Sequence, residues 1–194
     1  KEAVKFQGVG LHSGVSTKVK ILPGKVDSGI IFKRVDLNQN NSILANFKNV
    51  SSTKLCTTLE NDHGVKVSTV EHLLAALYIE GIDNAIIEIN GPEMPIMDGS
   101  SKEFLRLLKN VKIETQDKKR KYLKVLDKLE LTDGRRKFLI EPCINSLQVE
   151  FQLSYNNKII GNQKNKIDFG KDELEDVYSS RTFCLFEDIE KIKK

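Results

Sequence analysis

The chain has 194 residues, of which 39% are hydrophobic and 30% are charged, and its formal net charge is +4. This length and composition predict a folded protein that buries a core, organised as one large domain or two small ones. No run of about 18 apolar residues occurs and no charged-then-apolar signal begins the chain. The sequence therefore predicts neither a membrane span nor a secretory leader.

The basic residues are spread along the chain rather than gathered on one face, apart from the run Lys118 to Lys121. That run favours a solvated linker over a nucleic-acid patch, because no aromatic platform or known binding motif flanks it. The cysteines are odd in number and widely separated, and none has C-x-x-C spacing. They predict a reducing compartment rather than a disulfide scaffold or a zinc ribbon.

Alternating apolar residues predict strands in the first part of the chain. Residues 15–21 alternate up to a Pro-Gly break, and a second extended run covers 29–35. Residues 53–60 and 65–67 flank the turn-like sequence Asn-Asp-His-Gly and predict a hairpin. A short, mostly apolar strand is predicted at 85–90, after the first helix.

The first helix is predicted from STVEHLLAAL, residues 68–77, and is expected to end near Gly81. Ser68 and Glu71 have the spacing of a capping box, in which each side chain satisfies an unpaired backbone N–H group. The residues spaced at i, i+3, i+4 and i+7 form one apolar face: Val70, Leu73, Leu74 and Leu77. Ser100 and Glu103 repeat the capping pattern before a second helix at 104–109.

After the polar stretch 114–121 the strand pattern starts again. Residues 122–131, 137–140 and 147–155 are predicted to be extended, and residues 171–179 and 186–194 to be helical. Strands followed by helices thus occur twice. The predicted fold is α+β with two related domains, each a sheet layered against helices, and the second is truncated. The expected bounds are 1–114 for the first domain, 115–121 for a linker and 122–194 for the incomplete second domain.

Glu71 and His72 are adjacent at the start of the first helix and lie off its apolar face. Two interpretations remain open from the residues alone. Glu71 can be only a capping partner and His72 a hydrogen-bonded core histidine, or the pair can do chemistry. The positive end of the helix dipole favours a carboxylate and disfavours an imidazolium. An ionised Glu71 and a neutral His72 are the states required of a general base and of a metal ligand.

A helical zinc motif does not explain the pair, because H-E-x-x-H and H-x-x-E-H both need a second histidine on the same helix. The other histidines are His12 and His63, and His63 is expected in a solvated hairpin turn. A zinc site at His72 must therefore take its other ligands from distant parts of the sequence.

Six ordered blocks resemble the UDP-3-O-acyl-N-acetylglucosamine deacetylase family, and together they run through essentially the whole chain. They are G-V-G-L-H-S-G (8–14), K-L-C-T-T-L (54–59), S-T-V-E-H-L (68–73), G-I-D-N (81–84), P-E-M-P-I-M-D-G-S (92–100) and S-R-T-F (180–183). The resemblance implies a zinc amidase that removes the N-acetyl group from a UDP-3-O-(3-hydroxyacyl)-sugar during lipid A synthesis. It also implies a monomeric, cytoplasmic enzyme of Gram-negative bacteria, with two α+β domains and the active site between them.

The same resemblance implies roles for residues at the matching positions. Glu71 resembles the general base that activates the attacking water, and His72 resembles the first zinc ligand. Thr182 resembles the threonine that steadies the oxyanion. The residues resembling substrate contacts near the zinc are Leu55, Cys56 and Phe183. Each of these four also has a structural interpretation, as a cap, core or strand residue.

One part of the family pattern has no counterpart here. The family takes its other two zinc ligands from an H-K-x-x-D motif, and nothing after Phe183 contains a histidine. The expectation is therefore an N-terminal two-thirds fragment that binds zinc weakly and shows little activity by itself, whose remaining ligands come from a missing C-terminal segment. The alternative is a non-catalytic member that binds the UDP-acyl-sugar or a protein partner. Nucleic-acid binding through Lys118 to Lys121 is the least favoured reading.

Overall fold

The structure is a computed structural model that describes residues 3–144 and 146–186. The chain divides into two compact units, one formed by Lys1–Lys118 with Val177–Lys194 and the other by Lys119–Asp176. The described residues combine mixed sheets with a few helices, so the predicted α+β class is confirmed. The bounds 1–114, 115–121 and 122–194 stay a prediction. Among the described residues, no helix is both long enough and apolar enough to cross a membrane.

Up to Lys118, the described residues of the first unit form eight strands and two α-helices. In chain order they are β1 (Val4–Val9), β2 (Ser16–Pro23), β3 (Ile30–Arg34), β4 (Ser42–Leu44), β5 (Val50–Ser52), β6 (Thr58–Glu60), β7 (Lys66–Val67), α1 (Glu71–Ile79), β8 (Ala85–Ile89) and α2 (Lys102–Lys109), with a 3-10 turn at Phe47–Asn49 before β5. Five strands form the main sheet in the order β1-β2-β8-β3-β4, in which only β3 and β8 pair in parallel. A small antiparallel sheet has the order β5-β6-β7.

Most predicted elements of this unit are confirmed. The strand runs appear as β2, β3 and β8, the hairpin as β6 and β7, and the helices as α1 and α2. The capping box predicted for α2 is wrong. Ser101 precedes the helix without a side-chain cap bond, and Glu103 pairs with Arg106 instead. The Ser100 hydroxyl accepts the Lys102 N–H at 3.1 Å but donates its own proton to Asp98.

The core lies between the main sheet and the two helices. Phe32 on β3 and Ile87 on β8 are fully buried from the sheet side. Phe104 of α2 packs its ring edge-on against Phe6 of β1, with centroids 5.5 Å apart. The predicted apolar face of α1 is confirmed, because three of its members are buried and the fourth packs against the core: Val70, Leu73, Leu77 and Leu74.

The opposite face of the main sheet carries a row of lysines that the linear sequence does not reveal. Lys5 stands directly opposite Lys20, and Lys20 and Lys33 each stand opposite Glu88. The Lys20 ammonium lies 3.4 Å from the Glu88 carboxylate. Like charges placed directly opposite each other on neighbouring strands are unfavourable. Strand pairing therefore brings lysines from distant strands to one face beside Glu88, a grouping that the sequence alone does not predict.

The second unit contains two antiparallel hairpins. Strand β9 (Leu129–Asp133) pairs with β10 (Arg136–Ile140), and β11 (Gln148–Ser154) pairs with β12 (Asn162–Asp168). Strands were predicted at β10 and β11, and the run predicted at 122–131 is a strand only from Leu129, where β9 begins. Strand β12 was not predicted. The predicted helix at 171–179 is limited to α3 (Glu175–Ser179). Most of the helix predicted at 186–194 lies outside the described residues.

Candidate active site

Glu71 and His72 are the first two residues of α1, and both are half-buried. The chain reaches them through a sharp bend, because Thr69 has a φ of +58°. A positive φ is a strained conformation for a β-branched residue, and such strain persists only where surrounding contacts enforce it. The helix entrance is therefore shaped by tertiary contacts rather than by local preference.

The capping box predicted for Ser68 and Glu71 is wrong. Val70 is the residue before the helix, and no side chain caps it. The Ser68 hydroxyl is instead 2.9 Å from the Thr58 hydroxyl, and the Glu71 carboxylate accepts the Thr57 N–H at 3.0 Å. Both side chains that could have capped the helix are thus bonded to Thr57 and Thr58, at the start of β6.

The segment 54–59 carries two predicted substrate contacts, Leu55 and Cys56, next to the residue that bonds Glu71. Thr57 bonds Glu71 through its N–H and also accepts the Val70 N–H at 3.4 Å. Cys56 is half-buried, with its sulfur 3.9 Å from the Thr58 hydroxyl oxygen. Leu55 has a φ of +67° and is 73% exposed, so it is not a strand-interior residue. Leu55 and Cys56 therefore immediately precede the residue that binds the Glu71 carboxylate.

The loop 91–101 contacts the helix entrance from another side. Ser68 donates its N–H to the Pro92 carbonyl at 2.9 Å and accepts the Met94 N–H at 3.0 Å. Further along, the Ser101 hydroxyl donates to the carbonyl oxygen of His72 at 3.0 Å. The loop therefore contacts both the turn before α1 and the first turn of the helix itself.

The same loop holds the segment that contains Thr182 and Phe183. The Thr182 N–H donates to the Gly99 carbonyl at 2.8 Å, and Arg181 lies 3.5 Å from the Asp98 carboxylate. Gly99 has a φ of +84°, which favours glycine over residues with a side chain. Thr182 is exposed and Phe183 is 52% exposed. The loop thus connects the predicted oxyanion-binding residue with the helix that carries the predicted base.

Asp98 adds a negative charge to this loop. Burial by itself raises the pKa of Asp98, but hydrogen bonds from the hydroxyl and N–H of Ser100 and the charge of Arg181 hold that pKa below its ordinary value. The Ser100 hydroxyl donates to Asp98 at 2.7 Å. Asp98 is therefore ionised at neutral pH. Its contacts with Ser100 and Arg181 hold the turn that includes Gly99, which bonds Thr182.

Sequence reasoning missed Glu93, the most buried carboxylate among the described residues, with 2% of its surface exposed. Its two carboxylate oxygens accept the His12 N–H at 3.0 and 3.2 Å, the Ser13 N–H at 2.7 Å and the Thr69 hydroxyl at 2.9 Å. Burial by itself raises the pKa of Glu93, but the hydrogen bonds from Ser13, His12 and Thr69 outweigh it and lower that pKa. The sequence did contain a sign of this buried carboxylate, because Glu93 is the one charged residue in the otherwise apolar stretch P-E-M-P-I-M.

Stability is expected to fall in acid as Glu93 takes up a proton. Its folded pKa lies below the ordinary value of 4.5. Its contribution to the free energy of unfolding is therefore fully present above that pH and is lost as the pH falls through the folded pKa. Urea unfolding followed from neutral pH into this acid range should show a steeper loss for the chain than for a Glu93→Gln variant. Equal slopes would contradict the prediction.

The described residues contain one predicted zinc ligand, His72, and do not form a complete zinc site. His72 is half-buried beside Glu71, and a neutral imidazole is a suitable zinc ligand. Within residues 3–144 and 146–186, no group of three or more His, Cys, Asp or Glu side chains could hold a metal ion. His63 is exposed in its hairpin turn, as expected from its position.

The family model described as UDP-3-O-acyl N-acetylglycosamine deacetylase (LpxC) matches residues 1–194. The chain belongs to this family. Relatives named UDP-3-O-acyl-N-acetylglucosamine deacetylase include proteins of Shewanella woodyi, 41% identical, and Haemophilus ducreyi, 37% identical. The matches cover 100% and 98% of this chain and 64% and 63% of the relatives.

A relative in Phenylobacterium zucineum is 37% identical over all of this chain and 66% of its own length. The chain therefore spans slightly less than two thirds of the curated relatives that it matches. The resemblance inferred from six short blocks is confirmed over all 194 residues. The roles of the individual residues in the blocks stay predictions.

Proposed function

We propose that the chain forms the part of a zinc-dependent UDP-3-O-acyl-N-acetylglucosamine deacetylase that contains its general base and its first zinc ligand. The observation that carries the proposal is the arrangement around α1. Glu71 and His72 open the helix, Thr57 binds the Glu71 carboxylate, and the loop 91–101 joins His72 to the Thr182 segment. The substrate is the UDP-acyl-sugar named for the relatives, and the reaction is hydrolysis of its N-acetyl amide.

In this proposal each side chain has a defined task. Glu71 takes a proton from the attacking water and passes it toward the leaving amine, as a correctly placed carboxylate can. The Thr182 hydroxyl donates to the oxygen that becomes negative in the transition state, a contribution of about 3 kcal/mol for comparable donors. Leu55, Cys56 and Phe183 contact the substrate. The exposure of Leu55 and Phe183 leaves apolar surface for an acyl chain.

His72 holds zinc in this proposal, and the remaining ligands come from sequence beyond the 194 residues. A bound zinc ion lowers the pKa of water and polarises the amide carbonyl. With a single ligand, the chain by itself is expected to bind zinc weakly and to turn over little substrate. The proposal also includes a cytoplasmic, monomeric enzyme of lipid A synthesis in a Gram-negative bacterium. The odd number and wide spacing of the three cysteines support the reducing compartment.

The proposal is tested by comparing this chain with one extended by its downstream coding sequence to the length of the relatives. Both are assayed for acetate release from the UDP-acyl-sugar with stoichiometric zinc. We expect turnover from the extended chain and little or none from the 194 residues. Full turnover by the 194 residues would overturn the fragment proposal.

A non-catalytic binding protein is the second candidate, because the described residues do not complete a metal site. It would be supported if the extended chain bound the UDP-acyl-sugar without releasing acetate. That outcome would remove the deacetylase proposal for this chain.

A further inference from the structure

Glu93 joins three segments that are far apart in the sequence. Its carboxylate accepts N–H groups of the turn at 10–14 and the hydroxyl of Thr69, while its carbonyl oxygen accepts the Thr17 hydroxyl at 3.2 Å. A buried carboxylate is costly unless hydrogen bonds replace its water. Here most of the hydrogen bonds that replace water come from backbone N–H groups, which the fold holds in position.

The space around this carboxylate is shaped to fit it. A Cβ atom added to Gly10 would lie 2.4 Å from Glu93 Oε2 and 2.5 Å from the Ser13 hydroxyl oxygen. Real Cβ atoms essentially never come so close to another heavy atom. The backbone of Glu93 is held as well, because it forms an isolated parallel β-bridge with Ser68. Glycine at position 10 therefore allows the turn to close tightly around the carboxylate.

The contact with Thr69 connects this cluster to the helix entrance. Thr69 holds the strained φ of +58° two residues before Glu71, and its hydroxyl donates to Glu93 at 2.9 Å. Strained backbone persists when its surroundings determine it from several directions. Thr69 is 3% exposed, so loss of the carboxylate would leave its hydroxyl buried without this partner.

We propose that Glu93 is a positioning residue that locks the 10–14 turn and Thr69 together and thereby fixes the direction in which α1 starts. Through Thr69 it sets where Glu71 and His72 lie relative to His12. Glu93 does not touch the reacting groups and acts only through their backbone. The importance of this placement for catalysis rests on the function proposed above, whereas the placement itself can be measured without activity.

The test uses the 194-residue chain with Glu93→Gln, which keeps the shape of the side chain but removes its charge and puts an NH₂ group against the N–H donors. We expect the His12 and Ser13 amide protons to exchange with solvent about 10- to 100-fold faster. This factor corresponds to the loss of hydrogen bonds to a charged group. The carboxyl ¹³C signal of Glu71 and the imidazole ¹⁵N signals of His72 should shift as well. Glu88→Gln on the outer sheet face is the matched control. It should change neither the amide exchange rates of His12 and Ser13 nor the signals of Glu71 and His72.

A second variant, Thr69→Val, removes one donor, keeps the β-branched shape and leaves the carboxylate in place. It should shift the Glu71 and His72 signals in the same direction by a smaller amount, and it decides the question if Glu93→Gln does not fold. Unchanged Glu71 and His72 signals in the folded variants would overturn the proposal, even if His12 and Ser13 exchanged faster. Absence of deacetylation by the extended chain would count against the proposed function alone.

Discussion

A Glu71→Gln variant of the chain extended to the length of its relatives is expected to lose about 10²- to 10⁴-fold in kcat, the contribution typical of general acid–base catalysis. Glutamine cannot take a proton from the attacking water at neutral pH. Its amide oxygen can still accept the Thr57 N–H, which the Glu71 carboxylate accepts at 3.0 Å. The variant therefore removes the base while keeping the contact that orients the side chain, and the loss is measured as acetate released per enzyme.

Glu103→Gln is the matched control for this experiment. Glu103 also lies in the first turn of a helix, but its carboxylate pairs with Arg106 at the surface, where an ion pair contributes little to stability. Its kcat should stay within a few-fold of the unaltered protein. If Glu71→Gln kept a comparable kcat, Glu71 would not be the base. Urea unfolding of both variants checks that neither result comes from a loss of structure.

Phe32→Ala is expected to lower the free energy of unfolding by about 3–5 kcal/mol, the cost usual for deleting a buried phenyl ring. Phe32 is fully buried at the centre of β3, and its neighbours in register, Ile87 and Ile43, are fully buried too. Strands hold these three side chains in place, so the cavity cannot close by a local shift. The change is measured by urea unfolding at neutral pH.

Phe47→Ala provides the comparison, because Phe47 is 80% exposed and lies on a 3-10 turn. Removal of an exposed phenyl ring should change the free energy of unfolding by less than about 0.5 kcal/mol. A loss of similar size in both variants would show that the core does not centre on β3.

The parts of the fold that depend on local patterns were predicted from the sequence. The apolar spacing in α1 predicted its buried face, and its end was predicted to within two residues, whereas its start was placed three residues too early. The alternation in β2 predicted a strand. Strand β12 was missed because its sequence, NQKNKID, is polar and mostly exposed. It is a strand because its backbone pairs with β11 over seven residue pairs. Backbone pairing of this kind leaves no hydrophobic pattern in the sequence.

For the candidate site the sequence predicted residues but not their contacts, and the roles of those residues stay predictions. Motif spacing identified Glu71 and His72, whereas Thr57 and Glu93 were overlooked because their partners are 14 to 81 positions away in the chain. The capping box failed for the same reason. Ser68 and Glu71 have the right spacing for a local pair, but the approach of Thr58 and Thr57 offers each a different partner. Local propensity cannot anticipate such tertiary competition.

The long sequence separations around Glu93 also bear on the order of folding. Its carboxylate meets the His12 N–H across 81 positions and the Thr69 hydroxyl across 24. Closing loops of that length costs entropy before any contact is gained, so non-local structure tends to form slowly. The bend at Thr69 is held by partners from distant parts of the chain, because Glu93 accepts the Thr69 hydroxyl and Thr57 accepts the Val70 N–H. The first turn of α1 should therefore reach its final orientation among the last events, after the hairpins have paired.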